Sequence, residues 1–269
     1  MTNPRCVFII CTSPRSGSNL LCEFIESTGR MGKPREYFNA MGRRLFDDPD
    51  FPDEPEAQVR RAFEIGASAD GVFGLKVFAE QMPFALQSPT FCGLLPRAHF
   101  IHLRRDDLLG QAVSLARATR TGQYRASQAQ IREPAYDAGD IEAALTRIAL
   151  EHASWRAYFA RNDLDPLQLT YEELVSAPDE VVGAIAKRIG VEGPLAIDRT
   201  KVRLTRQADA LTQAWRRRFV AERSDLCSGF DLLASRNARA SRPRAALARL
   251  LRAPKRVLAS ALRRRKRDH

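Results

Sequence analysis

CVFIICTSPRSGSNLLCEF, residues 6–24, changes character twice within nineteen positions. Residues 6–11 are an apolar, β-prone run, which reads as a strand buried on both faces at the centre of a parallel sheet. Thr12, Ser13, Pro14, Arg15, Ser16, Gly17 and Ser18 follow as a polar loop, and Leu20, Leu21, Phe24 and Ile25 then return at helical spacing. In a strand, loop and helix of this kind the loop wraps the helix N-terminus, where unpaired backbone N–H groups and the positive end of the helix dipole form a seat for phosphate or sulfate. Gly17 lets backbone approach a ligand, Arg15 adds a forked cation suited to tetrahedral oxyanions, and Ser16 and Ser18 add hydroxyl donors. The loop is not a nucleotide-triphosphatase loop, because no lysine follows its glycine as GxxxxGK[ST] requires.

The 269 residues are enough for a full α/β core, and no internal repeat is visible. The N-terminus shows no basic-then-apolar leader, and no apolar run is long enough to span a bilayer, so a cytoplasmic protein is expected. The five cysteines form no CxxC pair and read as small buried hydrophobes; the four histidines make no HxxxH or HExxH cluster, so no metal is expected. The net charge of +11 is unevenly placed. Residues 236–269 carry thirteen Arg or Lys against the one acid Asp268, which leaves residues 1–235 near neutral. The expected organisation is therefore a folded domain over residues 1–235 and a basic tail over 236–269, either disordered or a basic amphipathic element lying on anionic membrane at its inner face. Nucleic acid is not an expected partner, because no aromatic interleaves the arginines of the tail.

Along the chain, GVFGLKVF (71–78) reads as a second central strand whose one charge, Lys76, either snorkels or points into a site. AHFIHL (98–103) reads as a third strand, ending in Arg104, Arg105, Asp106 and Asp107 before a helix that Asp106 or Asp107 can cap. A long amphipathic helix over 141–160, a fourth strand near 167–170, a turn opened by Tyr171-Glu172-Glu173-Leu174, and further helices over 180–189 and beyond Ala210 complete the pattern. Strand followed repeatedly by helix implies a parallel sheet with helices on both faces, whose ligands sit at the carboxyl ends of the strands.

With both charged turns in view, most of residues 5–220 resembles the sulfotransferases that use 3′-phosphoadenosine 5′-phosphosulfate (PAPS), and among them the bacterial trehalose 2-sulfotransferase family. SPRSGSNLL (13–21) is similar to the family's 5′-phosphosulfate loop, KPREYF (33–38) to its segment bearing the catalytic glutamate, and GLKV (74–77) to its second core strand. HLRRDDLLGQAVSL (102–115) resembles the 3′-phosphate motif, LTYEEL (169–174) and RQADALTQAWRRR (206–218) the segments that close over the adenine and the 3′-phosphate. Asn19 departs from the family, which usually places a hydroxyl residue there.

The resemblance implies a P-loop-like sulfotransferase fold and transfer of a sulfuryl group to a hydroxyl of a carbohydrate or glycolipid, leaving 3′,5′-ADP, with no metal. It implies Glu36 as general base and Arg15 as stabiliser of the leaving oxygen. It assigns donor binding to Arg15, Ser16, Gly17, Ser18, Asn19, Arg105, Ser114, Tyr171, Arg206 and Gln207, and the acceptor side to Glu36, Phe38 and Lys76. Burial between Tyr37 and Phe38 is expected to raise the pKa of Glu36. Members of the family can pair as homodimers, although no interface is legible here. A kinase-like or noncatalytic nucleotide binder on the same fold is the alternative, because fold does not fix function.

Overall fold

The computed structural model describes residues 4–124, 131–202 and 210–225. The chain divides into two compact units, Met1–Glu222 and Arg223–His269. The architecture that follows is that of the first, and the basic tail lies outside the described residues.

Four parallel strands, β1 (Cys6–Thr12), β2 (Val72–Phe78), β3 (Ala98–Arg104) and β4 (Leu167–Thr170), form one sheet in the order β2-β1-β3-β4. All seven residues of β1 are buried, as expected for a strand flanked on both sides and covered on both faces. Its even-numbered side chains Phe8 and Ile10 join Leu21 and Ile25 of helix α1 (Ser18–Ser27) in one core. Its odd-numbered Val7, Ile9 and Cys11 join Trp155 and Phe159 of a long helix, Ala138–Arg161, in the other. The period-2 alternation of a strand thus builds two hydrophobic layers from one apolar run. Each large side chain so enclosed contributes about 1.5–3 kcal/mol.

Between β1 and β2 lie α2 (Ala40–Phe46) and α3 (Pro55–Gly66); between β2 and β3 lie the short helices α4 (Met82–Ala85) and α5 (Pro89–Leu94). Helix α6 (Leu108–Thr121) and α7 (Ala138–Arg161) follow β3 and share a third apolar cluster with Trp215 of the last described helix. After β4 come α8 (Tyr171–Ser176), α9 (Pro178–Arg188) and α10 (Ala210–Arg223). The segment expected to be a turn at Tyr171 is a helix instead. Thr170 accepts from the Glu173 N–H while the Glu173 carboxylate accepts from Thr170, so a reciprocal cap starts the helix within one residue of the strand end.

Because β2 and β3 lie on opposite sides of β1, the chain reverses its direction of strand addition at β1. Such reversals open a crevice at the carboxyl ends of the strands. The 13–17 loop occupies that position. At the outer edge of β2 the backbone of Arg35 forms a parallel bridge with Leu75, and the Lys76 N–H donates to the Arg35 carbonyl at 3.0 Å. That bridge brings Glu36 to the end of the sheet at which the loop lies.

Candidate active site

Two residues of the loop hold left-handed backbone conformations, Arg15 at φ 64° and Gly17 at φ 84°. The first is uncommon for a residue with a Cβ and needs bracing from its surroundings. Gln111 of α6 supplies it, donating from Nε2 to Ser13 Oγ (2.9 Å) and to the Pro14 carbonyl (2.6 Å). Trp155 Nε1 donates to the Thr12 carbonyl at 3.0 Å, pinning the strand end. Gly17 is the N-cap of α1 and offers no side-chain cap, so the first N–H groups of that helix face the loop. A Cβ built on Gly17 would lie 2.3 Å from Cδ2 of Tyr171, so glycine is required both for its backbone angle and for the ring packed against it.

The second charged turn meets the first. Arg15 Nε donates to Ser114 Oγ of α6 at 3.0 Å. The Arg105 guanidinium carbon stands 4.8 Å from the Tyr171 ring centroid, so Tyr171 lies between Gly17 and Arg105. Arg105 Nη2 reaches Asp107 at 3.4 Å, and Asp107 also caps α6 through the Gly110 N–H and pairs with Arg216 of α10. Arg105 Nε is buried with no hydrogen-bond partner among the described residues. Burial, then the charges of Arg105 and Arg117, hold the Arg15 pKa below its ordinary value. Neighbouring cations that disfavour the charge of Arg15, with a buried N–H of Arg105 beside them, have the electrostatics that an anion would relieve.

Arg15, Arg105 and Ser114 line one open cavity of about 1010 Å³, and Glu36, Phe38 and Lys76 line it too. Lys76 is only 3% exposed and donates to Glu36 Oε2 (2.9 Å) and Asn19 Oδ1 (2.7 Å). Asn39 Nδ2 and Gln81 Nε2 donate to Glu36 Oε1, at 2.9 and 3.0 Å. The expectation of a raised Glu36 pKa is overturned. Burial pushes the carboxyl up, but the charge and hydrogen bond of Lys76, the Asn39 amide and the charge of Arg43 together outweigh it and hold the group below the usual carboxylate range. Nor is Glu36 enclosed between its neighbours in sequence, because Tyr37 turns into the core against Phe51 and Phe73.

Residues 7–222 match the family described as Stf0 sulphotransferase. The chain belongs to this family. It is 28% identical over 259 residues to a trehalose 2-sulfotransferase of Mycolicibacterium smegmatis, covering 81% of this chain and 96% of that protein. A trehalose 2-sulfotransferase of Mycobacterium tuberculosis is 28% identical over 255 residues, covering 80% and 94%. Among solved structures, retinol dehydratase in complex with androsterone and inactive cofactor PAP is similar with a TM-score of 0.45 at 14% identity, covering 84% of this chain and 83% of that one.

For a sulfotransferase of the Stf0 family the residues expected from sequence gather well. Arg15, Gly17, Ser18, Asn19, Glu36, Phe38, Lys76, Arg105, Ser114 and Tyr171 share the one cavity. Ser16 departs from expectation: its hydroxyl is fully buried, 2.6 Å from Thr12 Oγ1, which in turn donates to the Leu103 carbonyl, so this serine ties the loop to the sheet and does not line the cavity. Asn19 accepts from Lys76, a role that a serine or threonine would fill only with a shorter reach. Arg206 and Gln207 lie outside the described residues. Sequence reasoning missed Asn39 and Gln81, which complete the shell of Glu36, and Glu151 of α7, whose carboxylate accepts the N–H groups of Ala79 and Glu80 and so holds the turn that carries Gln81.

Proposed function

We propose that this Stf0-family sulfotransferase moves a sulfuryl group from 3′-phosphoadenosine 5′-phosphosulfate to a hydroxyl of a carbohydrate or glycolipid, with Glu36 as base. One observation carries the reading: Arg105 and Arg15, the latter hydrogen-bonded to Ser114, come from two different strand ends and line one cavity that also holds Glu36. A donor with anions at both ends of its ribose needs two such pockets within reach of one molecule. The α1 N-terminus, Arg15 and Ser18 suit the 5′-phosphosulfate. Arg105, held by Asp107 and its partner Arg216, suits the 3′-phosphate together with Ser114, and Tyr171, packed on Arg105, joins the donor side.

In the proposed reaction the acceptor hydroxyl gives its proton to Glu36 as its oxygen bonds to sulfur. The bond between sulfur and the 5′-phosphate oxygen breaks, and the electron pair leaves with that phosphate. Arg15 and the N–H groups of α1 stabilise the charge on the leaving oxygen, and Lys76 keeps Glu36 ionised. A carboxylate held this acidic is a weak base for an alcohol, so its proton moves as the sulfuryl group arrives, and positioning with electrostatics supplies most of the rate. Trehalose is the first acceptor to test, given the names of the relatives.

Thermal shift with 3′,5′-ADP against ATP tests the donor assignment, because stabilisation follows affinity. Selective stabilisation by 3′,5′-ADP that is lost in Arg105→Ala is expected. Equal stabilisation by ATP, insensitive to Arg105, would instead favour the kinase-like alternative. For the base, Glu36→Gln is expected to lower turnover by about 10²–10⁴-fold while retaining the 3′,5′-ADP shift; wild-type turnover removes Glu36 from the mechanism.

A further inference from the structure

Nine large apolar side chains stand exposed among the described residues, and six of them line the mouth of this same cavity. They are Met41 (77% exposed), Leu45 (70%) and Phe46 of α2, Tyr124 and Ile131 (79%) at the C-terminal end of α6, and Val175 of α8. Apolar side chains exposed singly need no explanation, whereas a cluster rimming a concave site marks a surface that is covered in function. The chemistry of the cavity is graded. Arg15, Arg105, Lys76 and Glu36 lie among its lining, and its exposed margin carries those six apolar side chains beside the ion-paired Glu80, Arg147 and Arg199. Met41 and Leu45 are one helical turn apart and so share a face of α2.

The rim is joined to the reacting carboxylate by a single side chain. Asn39 caps α2, accepting the Gly42 N–H at 3.0 Å, while its amide nitrogen donates to Glu36. A molecule whose hydroxyl reaches Glu36 therefore has its remainder directed past Met41 and Leu45.

We infer that the acceptor is an amphiphile: its hydroxyl enters at Glu36 and an apolar group, an acyl or alkyl chain, crosses the rim made by Met41, Leu45, Ile131 and Val175. The inference rests on the sulfuryl-transfer reading and narrows its acceptor. A cavity of about 1010 Å³ lies at the upper end of what ordinary small-molecule sites enclose, which leaves room for a donor and a second ligand together. An apolar chain on the rim replaces exposed hydrocarbon contacts with water on both partners, and affinity rises with each methylene that is covered.

The test uses the full chain saturated with 3′,5′-ADP and measures the binding of methyl, butyl and octyl α-D-glucopyranoside below micelle concentrations by calorimetry, with PAPS-dependent turnover of each glycoside and of trehalose alongside. The expected result is an affinity about tenfold or more higher for octyl than for methyl, with the octyl-to-methyl ratio collapsing towards one in the double variant Met41→Ser, Leu45→Ser. A flat chain-length series in the wild type overturns the inference, even if trehalose is sulfated at full rate. Likewise, if Leu45→Asp splits a dimer in sedimentation while the glycosides show no chain-length effect, the rim is a contact between copies and the inference is overturned. Failure of the sulfuryl-transfer reading is distinct: it appears as absence of 3′,5′-ADP binding before any glycoside is added.

Discussion

At the scale of single residues, the site is decided by which charges stand next to Glu36. Its carboxylate has three donors from three separate segments, Asn39, Lys76 and Gln81, and only Lys76 is charged. Lys76→Met is therefore expected to act on acidity as much as on geometry. Without that cation, burial is opposed by the Asn39 and Gln81 amides and the charge of Arg43, and the Glu36 pKa moves up. The acid limb of the pH profile of kcat/KM then shifts towards neutral, and at pH 7 turnover falls by about 10²-fold as an electrostatic partner is lost. Stability carries the same sign. A carboxyl whose folded pKa is depressed contributes stability above its unfolded value, about 4.3, and that contribution is lost as pH falls through the folded pKa. The wild type should accordingly lose stability over this acid range more than Lys76→Met, which urea unfolding at a series of pH values measures; an unmoved acid limb would mean that another group titrates in catalysis.

At the scale of elements, Glu36 is held by a relay from α7, whose Trp155 and Phe159 pack in the same core layer as Phe38. Glu151 of α7 accepts the Ala79 and Glu80 N–H groups, the turn so fixed carries Gln81, and Gln81 bonds both Glu36 and the Phe38 carbonyl. Glu151→Ala removes the acceptor of two partly buried N–H groups, at no more than about 1–3 kcal/mol each, and frees the turn. We expect turnover to fall by about tenfold with the 3′,5′-ADP thermal shift unchanged, and Glu151→Gln, which keeps an acceptor oxygen, to recover part of the loss. A fall in donor affinity would show instead that α7 acts through the 13–17 loop. The relay was illegible in the sequence because Glu151 is one acid among several on a long amphipathic helix, and nothing in its spacing names a turn seventy residues earlier. By contrast β1, β2, β3 and β4 were legible within a residue or so, since period and length of an apolar run report burial directly. Arg15 and Arg105 were legible for a similar local reason: each follows the end of a buried strand and precedes a helix. The acidity of Glu36 was not, because it depends on Lys76, forty residues away in sequence and brought alongside by the Arg35 bridge to β2.

At the scale of the whole molecule, charge is segregated: residues 1–235 are nearly neutral although the cavity is cationic, and the positive excess sits from Arg236 onward. A near-neutral body has no long-range field to bring it to an anionic surface, whereas thirteen Arg or Lys within 34 residues do. If the acceptor carries an apolar chain, the enzyme gains by working where such chains are anchored, and the basic segment is the part of the sequence suited to keep it there. A chain ending at Ser235 should keep the thermal shift with 3′,5′-ADP, because Arg15, Arg105 and Ser114 all lie within the unit Met1–Glu222. Its partitioning onto vesicles containing anionic lipid should fall by at least about tenfold relative to the full chain, each basic residue near such a surface being worth about 1 kcal/mol at most. Raising salt should release the full chain, since the attraction is screened within a Debye length of about 8 Å at physiological ionic strength. Equal partitioning of the two chains, unmoved by salt, would assign membrane contact to the apolar rim alone; the glycolipid would then be met by Met41 and Leu45 directly, with no contribution from the basic segment.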